Sequence, residues 1–134
     1  NFKINQIFRR LTKNKKQSSK NLKIKGRIFT IENYFKKIAR FDFDHLCNKN
    51  VGAEDYVKIA EVCDFIVIEN IPKFNDGNIN KQQRFITLID ILYEKKISLM
   101  TSSCDNLENL GSSRTLNGPF KRTLSRLYEL TSIN

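Results

Sequence analysis

The chain has 134 residues, of which 40% are hydrophobic and 28% charged, a composition typical of one soluble domain with a core of its own. No segment approaches the roughly 18 consecutive apolar residues that a membrane-spanning helix needs. The three cysteines show no C-x-x-C spacing, which excludes a zinc-finger or disulfide scaffold and favours a reducing compartment.

The net charge of +10 is concentrated at the N-terminus. Residues 1–40 carry 13 of the 24 Lys and Arg with one acid, a net +12, and the other 94 residues carry a net −2. Such a basic segment is typical of binding to nucleic acid or to an anionic membrane. Lys, Asn and Ile are abundant along the whole chain, however, so a solvated basic face is the preferred interpretation, with a nucleic-acid arm as the alternative.

The N-terminal part is predicted to contain a helix, a linker and a hairpin. Apolar residues recur at helical spacing from Phe2 to Leu11, and a mobile basic linker follows over 13–21. Partial alternation on both sides of Gly26 predicts a β-hairpin or two edge strands, Leu22–Lys25 and Arg27–Ile31, that turn there.

A third strand is predicted from about Tyr34 to Asp44, with Phe41 and Phe43 on one side. Asp44 is expected to cap a short turn that holds His45, the only histidine. Because no Cys or His accompanies it at ligand spacing, a structural role for His45 is preferred to metal binding.

A helix is predicted from Ala53 to about Cys63, followed by a βαβ unit with parallel strands. Its parts are a strand at Phe65–Ile68, a helix at Lys81–Lys96 and a strand from Ile97 to Met100. The helix should bury Phe85, Leu88, Ile89 and Leu92. After a loop over 104–117, Gly118-Pro119 begins a last helix with Phe120, Leu124, Leu127 and Tyr128 facing inward.

Polar residues end both strands of the βαβ unit. Glu69-Asn70 and Thr101–Ser103 should therefore lie side by side at the carboxyl edge, where such sheets bind ligands. The sequence contains no phosphate-binding glycine loop, no G-x-G-x-x-G and no G-x-S-x-G, and Glu69 lacks a second acid for metal chemistry. We therefore predict a scaffold at this edge, and no catalytic or metal-binding residue is assigned.

Arg122 and Arg126 are four residues apart on the last helix and share a face. Two cations at that spacing could grip a phosphate. The alternative is that they pair with Glu129 and other surface acids.

Short motifs follow one another along the chain: Gly26-Arg27 with Ala39–Phe43 and Leu46-Cys47; Gly52–Tyr56; Asn70-Ile71-Pro72; Arg84–Tyr93; and Arg122–Glu129. In this order they resemble the G-R … A-R-F-x-F-x-x-L-C, G-A-x-D-Y, V-P, R-F-I-x-L-I-D-x-x-Y and R-T-x-S-R-L-x-E motifs of the ZapE family, the AFG-like group of P-loop ATPases. The resemblance extends from Gly26 to Ser132. Gln83 departs from it, since the family usually has a second arginine there, and Leu130-Thr131 replaces M-Q near the end.

The resemblance implies an α/β fold of the AAA+ type: a βαβ unit in a mostly parallel sheet, with an N-terminal hairpin and a C-terminal helix. Residues 1–21 would form a basic helix and linker, and 22–134 the C-terminal part of the ATPase. ATP and magnesium would be used by the full-length protein, with none expected for this chain alone. An initial Asn rather than Met agrees with a piece of a longer protein.

The resemblance also implies roles for individual residues and for partners. Arg126 or Arg122 would be the second sensor arginine that reaches the nucleotide, and Arg84, Asp90 and Arg40 would be structural or interface residues. The partners would be the missing N-terminal ATPase half and cell-division or membrane-associated proteins, in the bacterial cytoplasm or, in a eukaryote, the mitochondrion. A small basic binding module is the alternative function. An interaction domain using the hairpin edge is a third possibility without a positive signal.

Overall fold

The computed structural model describes Gln6 and residues 18–132. This part of the chain contains five strands, four helices and two short 3-10 turns (Asp76–Asn78 and Leu107–Asn109). The strands are β1 (Ser18–Ile24), β2 (Arg27–Phe35), β3 (Ile38–Asp42), β4 (Phe65–Ile71) and β5 (Ser98–Ser103). The helices are α1 (Phe43–Cys47), α2 (Ala53–Val62), α3 (Ile79–Glu94) and α4 (Asn117–Thr131).

The strands form one sheet in the order β1-β2-β3-β4-β5. β2 is antiparallel to both β1 and β3, whereas β3, β4 and β5 are parallel. Four of the five strands therefore run in the same direction, and α3 is the crossover between β4 and β5. The predicted α/β class, hairpin, βαβ unit and C-terminal helix are confirmed.

Two tight turns shape the antiparallel part of the sheet. Lys25 and Gly26 have φ values of 45° and 80°, and Lys36 and Lys37 have 44° and 68°. Two successive positive φ values characterise the type I′ turns that suit the twist of a hairpin. The first turn was predicted at Gly26. The second was not, so the predicted third strand began too early: Tyr34 belongs to β2, and β3 begins at Ile38.

The end of β3 also differs from the prediction. Asp42, not Asp44, is the N-cap of α1, and its carboxylate accepts a hydrogen bond from the Asp44 amide at 3.0 Å. A cap of this kind contributes about 1 kcal/mol. Phe43 consequently lies in the helix rather than the strand, and it is buried there with Leu46.

Other predicted boundaries shift by a few residues. Ser18–Asn21, predicted as linker, belong to β1 and pair with β2. The predicted helix over Phe2–Leu11 lies outside the described residues apart from Gln6. On α4, Phe120 and Leu127 are buried as predicted and Leu124 partly so, but Tyr128 is 47% exposed because its hydroxyl turns outward to Glu108.

All four helices pack into one core against one face of the sheet. Ala39, Phe41, Ile66, Ile68 and Leu99 supply the strand side of this core, as the alternation of a strand requires. Four phenylalanines join the helices to the loop after β4, with ring centroids 5.3–5.8 Å apart: Phe43, Phe74, Phe85 and Phe120. No helix within residues 18–132 is long and apolar enough to cross a bilayer.

Candidate functional site

The carboxyl ends of β4 and β5 lie side by side, as predicted. Ile68 pairs with Thr101 in the parallel register, and the pairing then shifts before Ile71. Asn70 occupies this irregularity with a φ of 63°, and its amide donates to the Ser102 hydroxyl at 3.1 Å. The shift turns Asn70 outward, so polar groups of both strands meet at this edge.

The carboxylates at this edge are already engaged. Arg40 on β3 pairs with Glu69 on β4, and its Nη2 donates to Glu69 Oε2 at 3.1 Å. The Asn70 side-chain amide donates to Asp42 Oδ1 at 2.6 Å. Among the described residues, no group of three or more His, Cys, Asp or Glu could hold a metal ion. Arg40, Glu69, Asn70 and Asp42 thus form a cross-strand network at this edge.

His45 lies next to this network and has an aromatic environment. Its ring stacks on Phe29 with centroids 5.0 Å apart and meets Phe41 edge-on at 5.8 Å. This packing fits the predicted structural role of His45.

Arg126 is held between α4 and α3. Its guanidinium pairs with Asp90 and lies over the ring of Tyr93, 4.7 Å from the centroid. Glu129, one turn further along α4, hydrogen-bonds the Tyr93 hydroxyl and raises the pKa of that tyrosine. The partner of Arg126 is thus Asp90, from the other helix, and not Glu129.

Arg122 and Arg126 have different surroundings in spite of their helical spacing. Arg122 is exposed, and no carboxylate of the described residues forms an ion pair with it, whereas Arg126 is partly buried between two helices. The structure does not bring the two arginines together on a shared ligand. Arg84 lies apart from both, half-buried near the start of α3.

Comparison with known proteins places these motifs in a family. The chain matches the AFG1-like ATPase family over residues 1–134. It belongs to that family. Over 129 residues it is 30% identical to lactation elevated protein 1 homolog B of Danio rerio, covering 95% of this chain and 26% of that protein. Over 129 residues it is 24% identical to the cell division protein ZapE of Escherichia coli K12, covering 96% and 34%.

The chain therefore spans about a quarter to a third of the length of these relatives of the AFG1-like ATPase family. No solved structure gives a significant match.

The carboxyl edge and the last helix do not by themselves fit ATP and magnesium. The sequence has no glycine-rich phosphate loop, and the acids nearest the carboxyl edge are paired with Arg40 and Asn70. Of the two motif arginines on the last helix, only Arg126 is partly buried. Its guanidinium already forms an ion pair with Asp90.

Two features of the structure were missed in the sequence. Arg27 reaches from the hairpin to Asp55 in the first turn of α2: its Nη2 donates to Asp55 Oδ2 at 2.7 Å, and the same oxygen accepts from the Gly52 amide at 2.8 Å. Oδ1 lies 2.6 Å from Nη1, in an ion-pair contact outside hydrogen-bond geometry. The G-R and G-A-x-D-Y motifs therefore form one joint between exposed Arg27 and buried Asp55, which no local pattern could indicate because 28 residues separate its partners.

The second is Gln82, which is fully buried on α3. Its amide donates to the Ser112 hydroxyl at 2.7 Å and accepts from the Ser113 amide at 3.0 Å, which fixes the loop before α4. The sequence did contain a signal for the burial of Gln82, because it lies three residues before Phe85 and so on the same, buried face of α3.

Proposed function

We propose that this chain is the C-terminal portion of an ATPase that binds and hydrolyses ATP with magnesium only when the rest of the protein is present. The observation that carries the proposal is the family match over the whole chain, combined with coverage of only 26% and 34% of two relatives. The carboxyl edge, where Glu69 pairs with Arg40 and Asp42 accepts from Asn70, supports a scaffolding contribution rather than a complete active site.

Within that protein, Arg126 is proposed to sense the nucleotide. A phosphate can replace the carboxylate of Asp90 as the partner of this cation. The ion pair is accessible to water, because the side chains of Arg126 and Asp90 are 26% and 38% exposed. Arg122 is the second candidate because it is exposed on the same helix. Asp90 is proposed to position α3 and Arg40 the carboxyl edge, and Arg84 is proposed as an interface residue of α3.

The wider role is also a proposal. One relative is named a cell division protein, which supports a link to cell division and to division or membrane-associated partners. A bacterial cytoplasmic location, or a mitochondrial one in a eukaryote, stays a prediction, as does the boundary between residues 21 and 22. The alternative, a basic module for nucleic acid, rests on charge in residues 1–40, of which only Gln6 and residues 18–40 are described.

ATP turnover in the longer protein tests the sensing role, with Arg126→Gln and Asp90→Asn compared. Both variants break the same ion pair, but only Arg126→Gln removes the cation. We expect Arg126→Gln to lower magnesium-dependent turnover at least about tenfold, the loss of one charged hydrogen bond to the reacting nucleotide, and Asp90→Asn to retain most of it. Equal losses in the two variants would show that the pair is only structural, and unchanged turnover in Arg126→Gln would remove the sensing role.

The fragment proposal has its own test. The 134-residue chain alone should show no ATP turnover above background. Appreciable magnesium-dependent hydrolysis by this chain would contradict it.

A further inference from the structure

A basic pocket of about 500 Å³ lies between the start of α3 and the loop after α1. Lys49, Lys81 and Arg84 supply its cations, and Asn48 and Asn80 add amide groups. We call it the Arg84 pocket. A volume of this size lies within the range of small-molecule sites.

Arg84 differs from every other partly buried arginine of the described chain. Arg40 pairs with Glu69 and Arg126 with Asp90, and even the more exposed Arg27 pairs with Asp55. Arg84 is half-buried, yet no carboxylate of residues 18–132 forms an ion pair with it. A guanidinium in such a position has five donors that favour a planar or tetrahedral oxyanion.

The surroundings of Arg84 add to its positive potential. No carboxylate lines the pocket; Asp44, which pairs with Lys81 at 3.1 Å, stands outside its lining. The first turn of α3 contains no acidic residue, and no side chain caps the helix. The first residues of this helix, Ile79, Asn80 and Lys81, line the pocket, so the positive end of the helix dipole lies beside it.

A purely structural explanation competes with a ligand site. The aliphatic stem of an arginine can cover apolar surface while water solvates its head. That explanation accounts for Arg84 alone. It does not account for the convergence of Lys49, Lys81 and Arg84 on one concavity without an acid among the residues that line it.

We propose that the Arg84 pocket binds the phosphoryl group of a small anion, with diphosphate or the phosphates of a nucleotide as the chemical class. Arg84 would hold two phosphoryl oxygens through its parallel N–H groups, and Lys49 and Lys81 would neutralise the remaining charge. This site is separate from the proposed sensing role of Arg126, because it involves a different helix end and different residues.

Pyrophosphate titration of the 134-residue chain at low ionic strength, followed by NMR, provides the test. We expect saturable shifts centred on the backbone amides of Gly77, Asn80 and Lys49 and on the Arg84 side-chain Nε–H. Shifts spread evenly over the surface lysines, or no saturation, would overturn the proposal, since a chain of net charge +10 attracts any anion weakly.

Matched variants make the result specific. Arg84→Gln should weaken pyrophosphate binding about tenfold or more, because a charged hydrogen-bonding pair is lost. Arg84→Lys keeps the charge but loses the bidentate geometry of the guanidinium, so its affinity for pyrophosphate should lie between those of the parent chain and of Arg84→Gln. Lys121→Gln removes one exposed charge elsewhere and should change the affinity by less than about twofold.

If Arg84→Gln fails to fold, Lys49→Gln replaces it, because Lys49 is exposed and lines the pocket. It should weaken binding by about three- to tenfold. Equal affinities in Lys49→Gln and Lys121→Gln would overturn the proposal.

Comparison of ligands identifies the source of the phosphoryl group. Tighter binding of ADP than of pyrophosphate would identify a nucleotide, and equal affinities would indicate recognition of the phosphoryl groups alone. Acetate at the same concentration should give no saturable shift at Arg84. If it shifts the same amides with the same affinity as pyrophosphate, the site does not select phosphate and the proposal fails.

Discussion

Arg126 on α4 pairs with Asp90 on α3 and lies over the ring of Tyr93, which is also on α3. Tyr93 in turn donates to Glu129, one turn beyond Arg126. The four residues come from the two longest motifs shared with the AFG1-like family, and in the fold they form one contact between two helices. These motif residues therefore fix α4 on α3.

The first prediction concerns the stability of this contact. Arg126→Gln should lower the free energy of unfolding by about 1–2 kcal/mol, since a partly exposed ion pair and a cation–π contact are lost together. Asp90→Asn should cost less than about 1 kcal/mol, because the stacking on Tyr93 remains. Urea unfolding measures both values.

The double variant of Arg126→Gln and Asp90→Asn measures the interaction energy between the two side chains. If the two side chains interact as the structure shows, the coupling energy from the cycle should be about 0.5–1 kcal/mol. Strictly additive effects of Arg126→Gln and Asp90→Asn would contradict the ion pair.

The same contact shows what the sequence could predict and what it could not. Helical spacing identified α3 and the buried Phe85 and Leu92, because one helix face against a core imposes a period of 3.6. The partner of Arg126 was not predictable, since Asp90 is 36 residues away and only packing joins the two helices. Its nearest acid in sequence, Glu129, bonds to Tyr93 instead.

The conformation of the turns was the second feature that limited prediction from the sequence. Gly26 marked the first hairpin, but the second turn consists of Lys36 and Lys37, which take positive φ without the usual Gly or Asn. The pairing of Phe35 with Ile38 fixes that turn from outside. At the carboxyl edge, the parallel strands of the βαβ unit predicted that Glu69-Asn70 and Thr101–Ser103 meet. The ion pair of Glu69 with Arg40 was not predictable, because it depends on the register of β3 on β4.

The second prediction uses two neighbouring acids in the first turn of α2. Asp55 is fully buried, receives the Gly52 amide and pairs with Arg27, whereas Glu54 pairs with Lys25 in the open. Asp55→Asn should lower the free energy of unfolding by about 2–4 kcal/mol, because the buried carboxylate loses its charge-assisted bonds to Arg27 and to the Gly52 amide. Glu54→Gln should stay within about 0.5 kcal/mol of the parent chain. Similar losses in both variants would show that Asp55 has no special role.

The third prediction concerns pH. The hydroxyl of Tyr128 donates to Glu108 at 2.7 Å and lowers the pKa of that carboxyl below its usual value. A carboxyl with a lowered pKa in the fold stabilises it above the unfolded pKa, and this contribution is lost as pH falls through the folded pKa. Tyr128→Phe should therefore raise the pKa of Glu108 and reduce stability at neutral pH, with the difference from the parent chain vanishing in acid.

Carboxyl-carbon NMR titration of Glu108 and unfolding at several pH values check this. Tyr93→Phe removes a hydroxyl that bonds to Glu129 instead and should leave the pKa of Glu108 unchanged. A Tyr128→Phe variant whose stability gap persists at low pH would contradict the assignment.

The fourth prediction distinguishes the three thiols. Cys104 is exposed, whereas burial raises the pKa of both Cys47 and Cys63 to about 12. Because the thiolate is the reactive form, iodoacetamide at neutral pH should modify Cys104 in the native chain and the other two only after unfolding. Peptide mass spectrometry measures the sites, and rapid native labelling at Cys47 or Cys63 would contradict the packing of the core.

The fifth prediction compares two glycines with nearly equal backbone angles. Gly111 has a φ of 77°, and a methyl group there would lie 2.9 Å from the Phe74 carbonyl oxygen; Gly26 has a φ of 80° and open space around it. Gly26→Ala should cost about 1 kcal/mol of unfolding free energy from the left-handed backbone alone. Gly111→Ala should cost about 2–3 kcal/mol, because the clash is with backbone and also disturbs the hydrogen bond from the Phe74 amide to Leu110. Thermal unfolding of both variants measures the difference, and equal losses would mean that the loop before α4 yields without disturbing Phe74.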